Sequence, residues 1–253
     1  MHLPHAPRPP VVCLLHGGFW RMPYGRDELT AVAKDIAARG YAVWNIEYRR
    51  LGAPGGGWPG TLNDVASAVD RLATLGTDGI ELDLGRVLVV GHSAGGHLAL
   101  WVAARHHSTP VRVRPIAAAG LAAVADLARA WALDAGNGAV NEFIGGSPNQ
   151  FSDRYAAASP IELLPLGVRQ LIVHGCKDEA LPVDLSRIYA SAAQVSGDDV
   201  AYVELPDAGH MDYLDPHSKA HAALCEWLAQ TSAASSGEPP NSSFKPKPLR
   251  GSA

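Results

Sequence analysis

The stretch Val87-Leu88-Val89-Val90-Gly91-His92-Ser93-Ala94-Gly95-Gly96-His97-Leu98-Ala99-Leu100 passes from a β-branched apolar run into an alanine- and leucine-rich one through Gly91 to Gly95. It reads as a strand, a sharp turn and a helix, with a serine on the turn: a nucleophile elbow. The serine of such a turn takes a strained backbone conformation, and the positions around it must be small because side chains there would meet neighbouring backbone. Gly91, Ala94, Gly95 and Gly96 meet that demand. The G-x-S-x-G pattern alone is weak evidence, since a chain of 253 residues with 26 glycines matches it by chance in about one case in six. Its surroundings give it weight.

Working outward, short β-branched runs alternate with longer amphipathic segments, which argues for βαβ units and a parallel sheet. Strands are expected at Val11 to Leu15, Ala42 to Glu47, Val87 to Val90, Val113 to Ala119, Gln170 to His174 and Val200 to Leu205. Apolar residues at helical spacing place helices at Asp27 to Arg39, Leu62 to Leu75, Gly96 to Arg105, Val183 to Val195 and His217 to Gln230. Right-handed crossovers then put helices on both faces and gather the functional loops at the carboxyl ends of the strands. Two stretches break the rhythm. Gly52 to Gly60 is a glycine-rich loop around Trp58, which either ties the loop down or faces a substrate. Leu121 to Leu164 is too long for a plain connection and is the candidate cap. Residues 1–230 are expected to form one domain, and from Thr231 to Ala253 the composition turns to Ser, Pro, Gly and Lys and reads as a disordered tail.

The hydrophobic fraction of 47% is enough for a sizeable core, and a net charge of -4 leaves no basic field for nucleic acid or an anionic membrane surface. Met1 to Pro10 holds four prolines and no long apolar segment, so the chain reads as soluble and cytoplasmic. Cys13, Cys176 and Cys225 lack C-x-x-C spacing and read as packed thiols rather than a disulfide framework or a zinc site. His217 and His221 have the i, i+4 spacing of a two-ligand face, but no third ligand accompanies them in the sequence. His106 and His107 read as a solvated helix end. No metal and no cofactor is expected.

A serine hydroxyl needs an imidazole to take its proton and a carboxylate to hold that imidazole in the right tautomer. His174-Gly175-Cys176-Lys177-Asp178 ends the fifth expected strand and Gly209-His210-Met211-Asp212 follows the sixth, both on the functional edge. Ser93, Asp178 and His210 therefore form the candidate triad, in the chain order of an elbow-bearing α/β sheet. Glu179, Asp207 and Asp212 are the competing carboxylates. Donors for the developing oxyanion are expected from the N–H of Ala94 and from the loop His16-Gly17-Gly18-Phe19-Trp20, with Gly18 and Phe19 foremost. Phe19, Trp20 and Trp58 are candidate walls of an apolar pocket, the alternative being that they plug the core.

Together HGGFW, GHSAGGH, HGCKD, GHMD and Ser159-Pro160 resemble the esterase/lipase branch of the α/β-hydrolases, in particular its arylformamidase-like and acyl-peptidase-like members, from about Val11 to Gln230. The resemblance implies an α/β-hydrolase fold and a serine hydrolase with Ser93 as nucleophile, Asp178 as orienter and His210 as base. The oxyanion motif maps onto Gly17, Gly18 and Phe19. The third position after His16 is Phe rather than Gly, as in the formamidase-like group. Such enzymes begin with an antiparallel strand pair, whereas ten residues precede Val11; either the sheet is cut to six strands or upstream sequence is missing.

The leading expectation is a carboxylesterase acting on small acyl esters. Its rivals are an arylformamidase-type amide hydrolase for substrates like N-formylkynurenine, an acyl-peptidase-like enzyme, and a ligand-binding module on the same fold. The partner in either enzymatic case is a small-molecule ester or amide.

Overall fold

The computed structural model describes residues 1–75, 79–107 and 110–236. Six strands, β1 (Pro10–Leu15), β2 (Ala42–Ile46), β3 (Asp83–His92), β4 (Ala117–Leu121), β5 (Arg169–Gly175) and β6 (Val200–Leu205), form one sheet in the order β2-β1-β3-β4-β5-β6. Every pairing is parallel. The outer edge of β2 is met at one point, where His2 and Val43 exchange backbone hydrogen bonds at 2.9 and 2.8 Å in an antiparallel bridge.

Successive strand residues point to opposite faces, and two cores follow from that alternation. Val11, Cys13, Leu15, Val87 and Val89 face one core; Val12, Leu14, Val43, Leu88 and Val90 face the other. Helices α2 (Gly60–Leu75), α3 (Ala94–Ala104) and α7 (Asp184–Val195) cover the first, and α1 (Thr30–Ala38) and α8 (Lys219–Ser236) the second. The strand order reverses at β1 and β3. The chain therefore leaves β1 toward α1 on one face and β3 toward α3 on the other, which opens a crevice between their carboxyl ends. Both HGGFW and GHSAG lie at that crevice. Helix α3 is apolar all round because the sheet lies under it and the insertion over it.

The insertion after β4 is built from three short helices, α4 (Leu127–Ala132), α5 (Ala139–Ile144) and α6 (Ser152–Ala158). Their buried faces, including Leu127, Ala130, Val140, Phe143 and Tyr155, join the first core. This is an α/β-hydrolase fold with helices on both faces and a short insertion.

Two expectations shift. The fourth strand was expected over Val113 to Ala119 but runs Ala117–Leu121. Pro115 has no N–H to give to a ladder, and the N–H groups of Arg112 and Val113 go instead to Asp70 Oδ1 at 3.1 and 3.2 Å. The helix expected to end at Gln230 continues to Ser236. Thr231 is buried and the Ser232 hydroxyl donates to Tyr41 Oη at 3.2 Å, so packing extends past the point where composition changes. Residues 237–253 of the expected tail lie outside the described residues. Among the described residues, no helix is long and apolar enough to cross a membrane.

Candidate active site

Ser93 joins β3 to α3 with φ 55° and ψ -118°, a backbone region that costs a non-glycine residue on the order of 1–3 kcal/mol unless its surroundings hold it there. The turn has no room for larger neighbours. A Cβ on Gly91 would strike the Gly95 carbonyl, and one on Gly95 would strike the carbonyls of Leu15 and His16. The Ser93 N–H is tied to Leu121 O at 2.8 Å, and His97 N–H to Ser93 O at 3.1 Å.

Asp178 follows β5 and its side chain is fully buried, with an exposure of 0%. Oδ1 accepts the N–H groups of Ala180 and Leu181 at 2.9 and 2.8 Å, while Oδ2 accepts from His210 Nδ1 at 2.7 Å and faces His174 Nε2 at 3.2 Å. Burial pushes the Asp178 carboxyl up, but the hydrogen bonds from His174 and His210 outweigh it and hold the group well below the usual carboxylate range. His174 is itself fixed, with Ser186 Oγ at 2.7 Å from Nδ1 and Leu181 O at 3.0 Å from Nε2.

Since Nδ1 of His210 donates to Asp178, its Nε2 keeps a lone pair on the far side of the ring. The His210 carbonyl accepts from His92 Nε2 at 2.8 Å, and the two rings lie 4.7 Å apart. Burial pushes the His92 ring down to about 3, so it acts as a neutral donor to that carbonyl. The residue preceding Ser93 thus anchors the loop that carries His210. No hydrogen bond joins the Ser93 hydroxyl to the His210 ring among the described residues; such contacts are commonly long in empty sites and tighten around substrate. Of the competing carboxylates, Glu179 is exposed, Asp207 pairs with Lys177 at 3.3 Å and Asp212 accepts from Gly209 N–H at 3.0 Å.

The loop after β1 lies against the elbow. A Cβ on Gly17 would come within 3.2 Å of Ser93 Cβ. Gly18, Phe19 and Trp20 have φ of 93°, 55° and 55°, which turns the loop back on itself. Behind it, His16 is buried, stacked on Tyr48 at 4.2 Å, and linked to Glu47 at 2.9 Å. Burial pushes the Glu47 carboxyl up, but His16 and the N–H groups of Arg26 and Tyr48 hold it below its ordinary value. The N–H groups of Phe19 and Ala94 have no partner among the described residues.

Phe19, Trp20, Ser93, Ala94, Val124, Ala135, Val140 and Leu181 enclose a pocket of about 10 Å³, close to the least that holds a single water. Phe19 and Trp20 are among its walls. Trp20 is also a core plug, stacked on Phe143 at 4.6 Å with its Nε1 donating to His97 Nδ1 at 3.3 Å. Trp58 is not a wall of this pocket. It packs against the first core, and its N–H donates to Phe143 O at 2.8 Å, which ties the glycine-rich loop to α5.

One group among the described residues has metal-ligand character: Asp35, His221 and Cys225, whose donor atoms lie within 4.8 Å of one another between α1 and α8. The Asp35 carboxylate already accepts Arg39 Nε and His221 Nε2, each at 2.7 Å, so a guanidinium holds the charge that a cation would need. His217, which shares the i, i+4 spacing with His221, is exposed before α8. Cys13 is packed as expected, with burial pushing its thiol up to about 12, whereas Cys176 is exposed at the end of β5.

The roles of His92, His97 and His174 are not legible in the sequence. The two flanking histidines were visible inside GHSAGGH, but their partners, the carbonyls of His210 and Ala158, carry no residue signature.

The BD-FAE family model matches residues 2–192. No curated protein matches the chain. Among solved structures, the chain is similar to esterase B from Lactobacillus rhamnosis, with 19% identity over 92% of this chain and 78% of that one and a TM-score of 0.78. It is also similar to an acetyl ester-xyloside bifunctional hydrolase from Caldicellulosiruptor lactoaceticus, with 21% identity, 93% and 85% coverage and a TM-score of 0.71. A bifunctional GH43-CE protein from Bacteroides eggerthii shares 21% identity with a TM-score of 0.76; the match covers 90% of this chain but only 34% of that longer chain. At these identities the likeness is one of fold.

Proposed function

Because the chain belongs to the BD-FAE family, of α/β-hydrolase type, we propose that this esterase-like hydrolase is a serine carboxylesterase for esters of short acyl groups. The observation that carries the reading is the 2.7 Å pairing of His210 with the buried Asp178, on a loop tethered to the residue before a strained serine. In this reading the ester carbonyl lies over Ser93 with its oxygen toward the N–H groups of Phe19 and Ala94. Ser93 Oγ attacks the carbonyl carbon while His210 Nε2 takes its proton. Asp178 keeps Nδ1–H in place and stabilises the imidazolium, the proton passes to the departing alcohol, and water releases the acyl group by the same steps. The tight pocket beside Ser93 favours acetyl and similarly short acyl chains. The names of the similar structures, which include an acetyl ester hydrolase, agree with that substrate class.

Turnover of p-nitrophenyl esters across acyl length tests the reading, together with labelling by a fluorophosphonate. We expect the highest kcat/KM for the acetyl ester with a fall as the acyl chain lengthens, covalent labelling at Ser93, and loss of several orders of magnitude in kcat in Ser93→Ala. Full turnover in Ser93→Ala would refute the serine mechanism. A kcat/KM for N-formylkynurenine far above that for the esters would move the assignment to an arylformamidase.

A further inference from the structure

The oxyanion loop is strained at two consecutive non-glycine residues, Phe19 and Trp20, which follow Gly18 in the positive-φ region. Such conformations persist only where surrounding contacts over-determine them. Two of those contacts are backbone hydrogen bonds, Arg21 N–H to Gly18 O at 2.9 Å within the loop and Leu51 N–H to Trp20 O at 2.7 Å from the segment after β2, and Trp20 Nε1 donates to His97 of α3. A further set comes from the insertion. Arg21 Nε donates to Glu142 Oε2, Nη1 to Gly136 O and Nη2 to Asn137 O, each at 2.8 Å. Gly136 and Asn137 lie on the turn between α4 and α5, and Glu142 lies on α5. A Cβ on Gly136 would overlap the Phe19 ring, and Trp20 stacks on Phe143 of α5. The same turn and helix supply Ala135 and Val140 to the pocket beside Ser93.

We propose that Arg21 is a positioning residue that bolts the oxyanion loop to the insertion, setting the Phe19 N–H where the oxyanion develops and making the insertion a fixed wall of the acyl pocket. The proposal rests on the esterase reading above. The exposed ion pair with Glu142 contributes little by itself. What matters is the planar fork, which reaches two backbone carbonyls and a carboxylate at once, and a lysine's single ammonium cannot reproduce that.

The test compares wild type with Arg21→Ala, Arg21→Lys and Arg154→Ala in p-nitrophenyl acetate turnover, thermal melting and inhibition by a short-chain trifluoromethyl ketone. In the inhibited form, Ser93 Oγ bonds to the ketone carbon, the C=O π pair becomes an oxyanion, and His210 holds the serine proton. Arg154 is the control, because it donates to Ile144 O at 2.9 Å and stacks over Phe151 at 4.0 Å within the insertion without an assigned contact to the oxyanion loop. For Arg21→Ala we expect kcat to fall by about tenfold to a hundredfold, below the full loss of one oxyanion donor. Its KM should stay within about twofold, and the ketone Ki should weaken by the same factor as kcat/KM. Arg21→Lys should recover no more than about threefold, and Arg154→Ala should lower the melting temperature while leaving Ki unchanged.

Kinetics and Ki within about twofold of wild type in a folded Arg21→Ala would overturn the proposal. So would an equal loss in Arg154→Ala or full rescue by Arg21→Lys; if Arg21→Ala does not fold, the Arg21→Lys result decides. A wild type without ester turnover or fluorophosphonate adduct removes the esterase reading and this proposal with it, whereas an active wild type with an indifferent Arg21 removes this proposal alone.

Discussion

A carboxylate that accepts two peptide N–H groups and faces two histidines is committed to its charged form, and Asp178 is so placed. An amide at that position would present either an N–H to the His210 Nδ1–H or a weaker acceptor, and the tautomer that leaves Nε2 free would lose its support. Asp178→Asn is therefore expected to lower kcat by roughly 10⁴ with little change in KM, measured on a short-chain ester; a loss under about tenfold would refute tautomer control. Ser93, Asp178 and His210 were all legible as candidates because each follows a strand and the three stand in the right chain order. The partnership of Asp178 with His174 was not, because it depends on how residues 175 to 181 fold back so that one carboxylate meets both rings. Arg21 was invisible for a related reason. Its acceptors lie 115, 116 and 121 positions away, and two of them are backbone carbonyls that any residue provides.

Among the elements, α3 depends most on ring charge. His97 donates from Nε2 to Ala158 O at 2.9 Å, at the end of α6, and accepts from Trp20 at Nδ1, so only a neutral ring satisfies both contacts. Burial pushes His97 down to about 4 and His92 to about 3. An unfolded chain takes up these protons near pH 6.5, well before the folded protein does. The unfolded state then binds more protons, and stability falls as pH drops from about 6.5 toward 4, by up to about 1.4 kcal/mol per pH unit for each histidine. Asp178 acts in a lower window: its depressed value adds stability that is present above about pH 4 and lost on further acidification. Urea midpoints at pH 7, 6 and 5 check the first window, where His97→Gln should flatten the slope; an unchanged slope would refute the assignment to His97. The long strands and helices were legible from periodicity, while α4, α5 and α6, of 6 to 7 residues each, are too short to register against that signal.

For the molecule as a whole, the crevice between β1 and β3 brings the oxyanion loop, the elbow and the insertion together, and α8 closes the opposite face through Leu224, Trp227 and Leu228. The continuation of α8 past Gln230 buries Thr231 and reaches Tyr41 just before β2. Ending the chain after Gln230 removes at least the buried Thr231 side chain and the hydrogen bond from Ser232 to Tyr41, at a cost of about 2 kcal/mol or more and a fall in melting temperature of at least about 4–8 °C; calorimetry showing no change would place the end of the packed domain at Gln230 after all. Strand and helix alternation, the small residues around Ser93 and the order of the triad are written in the chain, because they follow from side-chain periodicity and short-range sterics. The strand order, the tether between His92 and His210 across 118 positions, the size of the pocket and the clamp made by Arg21 came from packing. Distant segments meet there through backbone groups common to every residue, so no local pattern announces the contact.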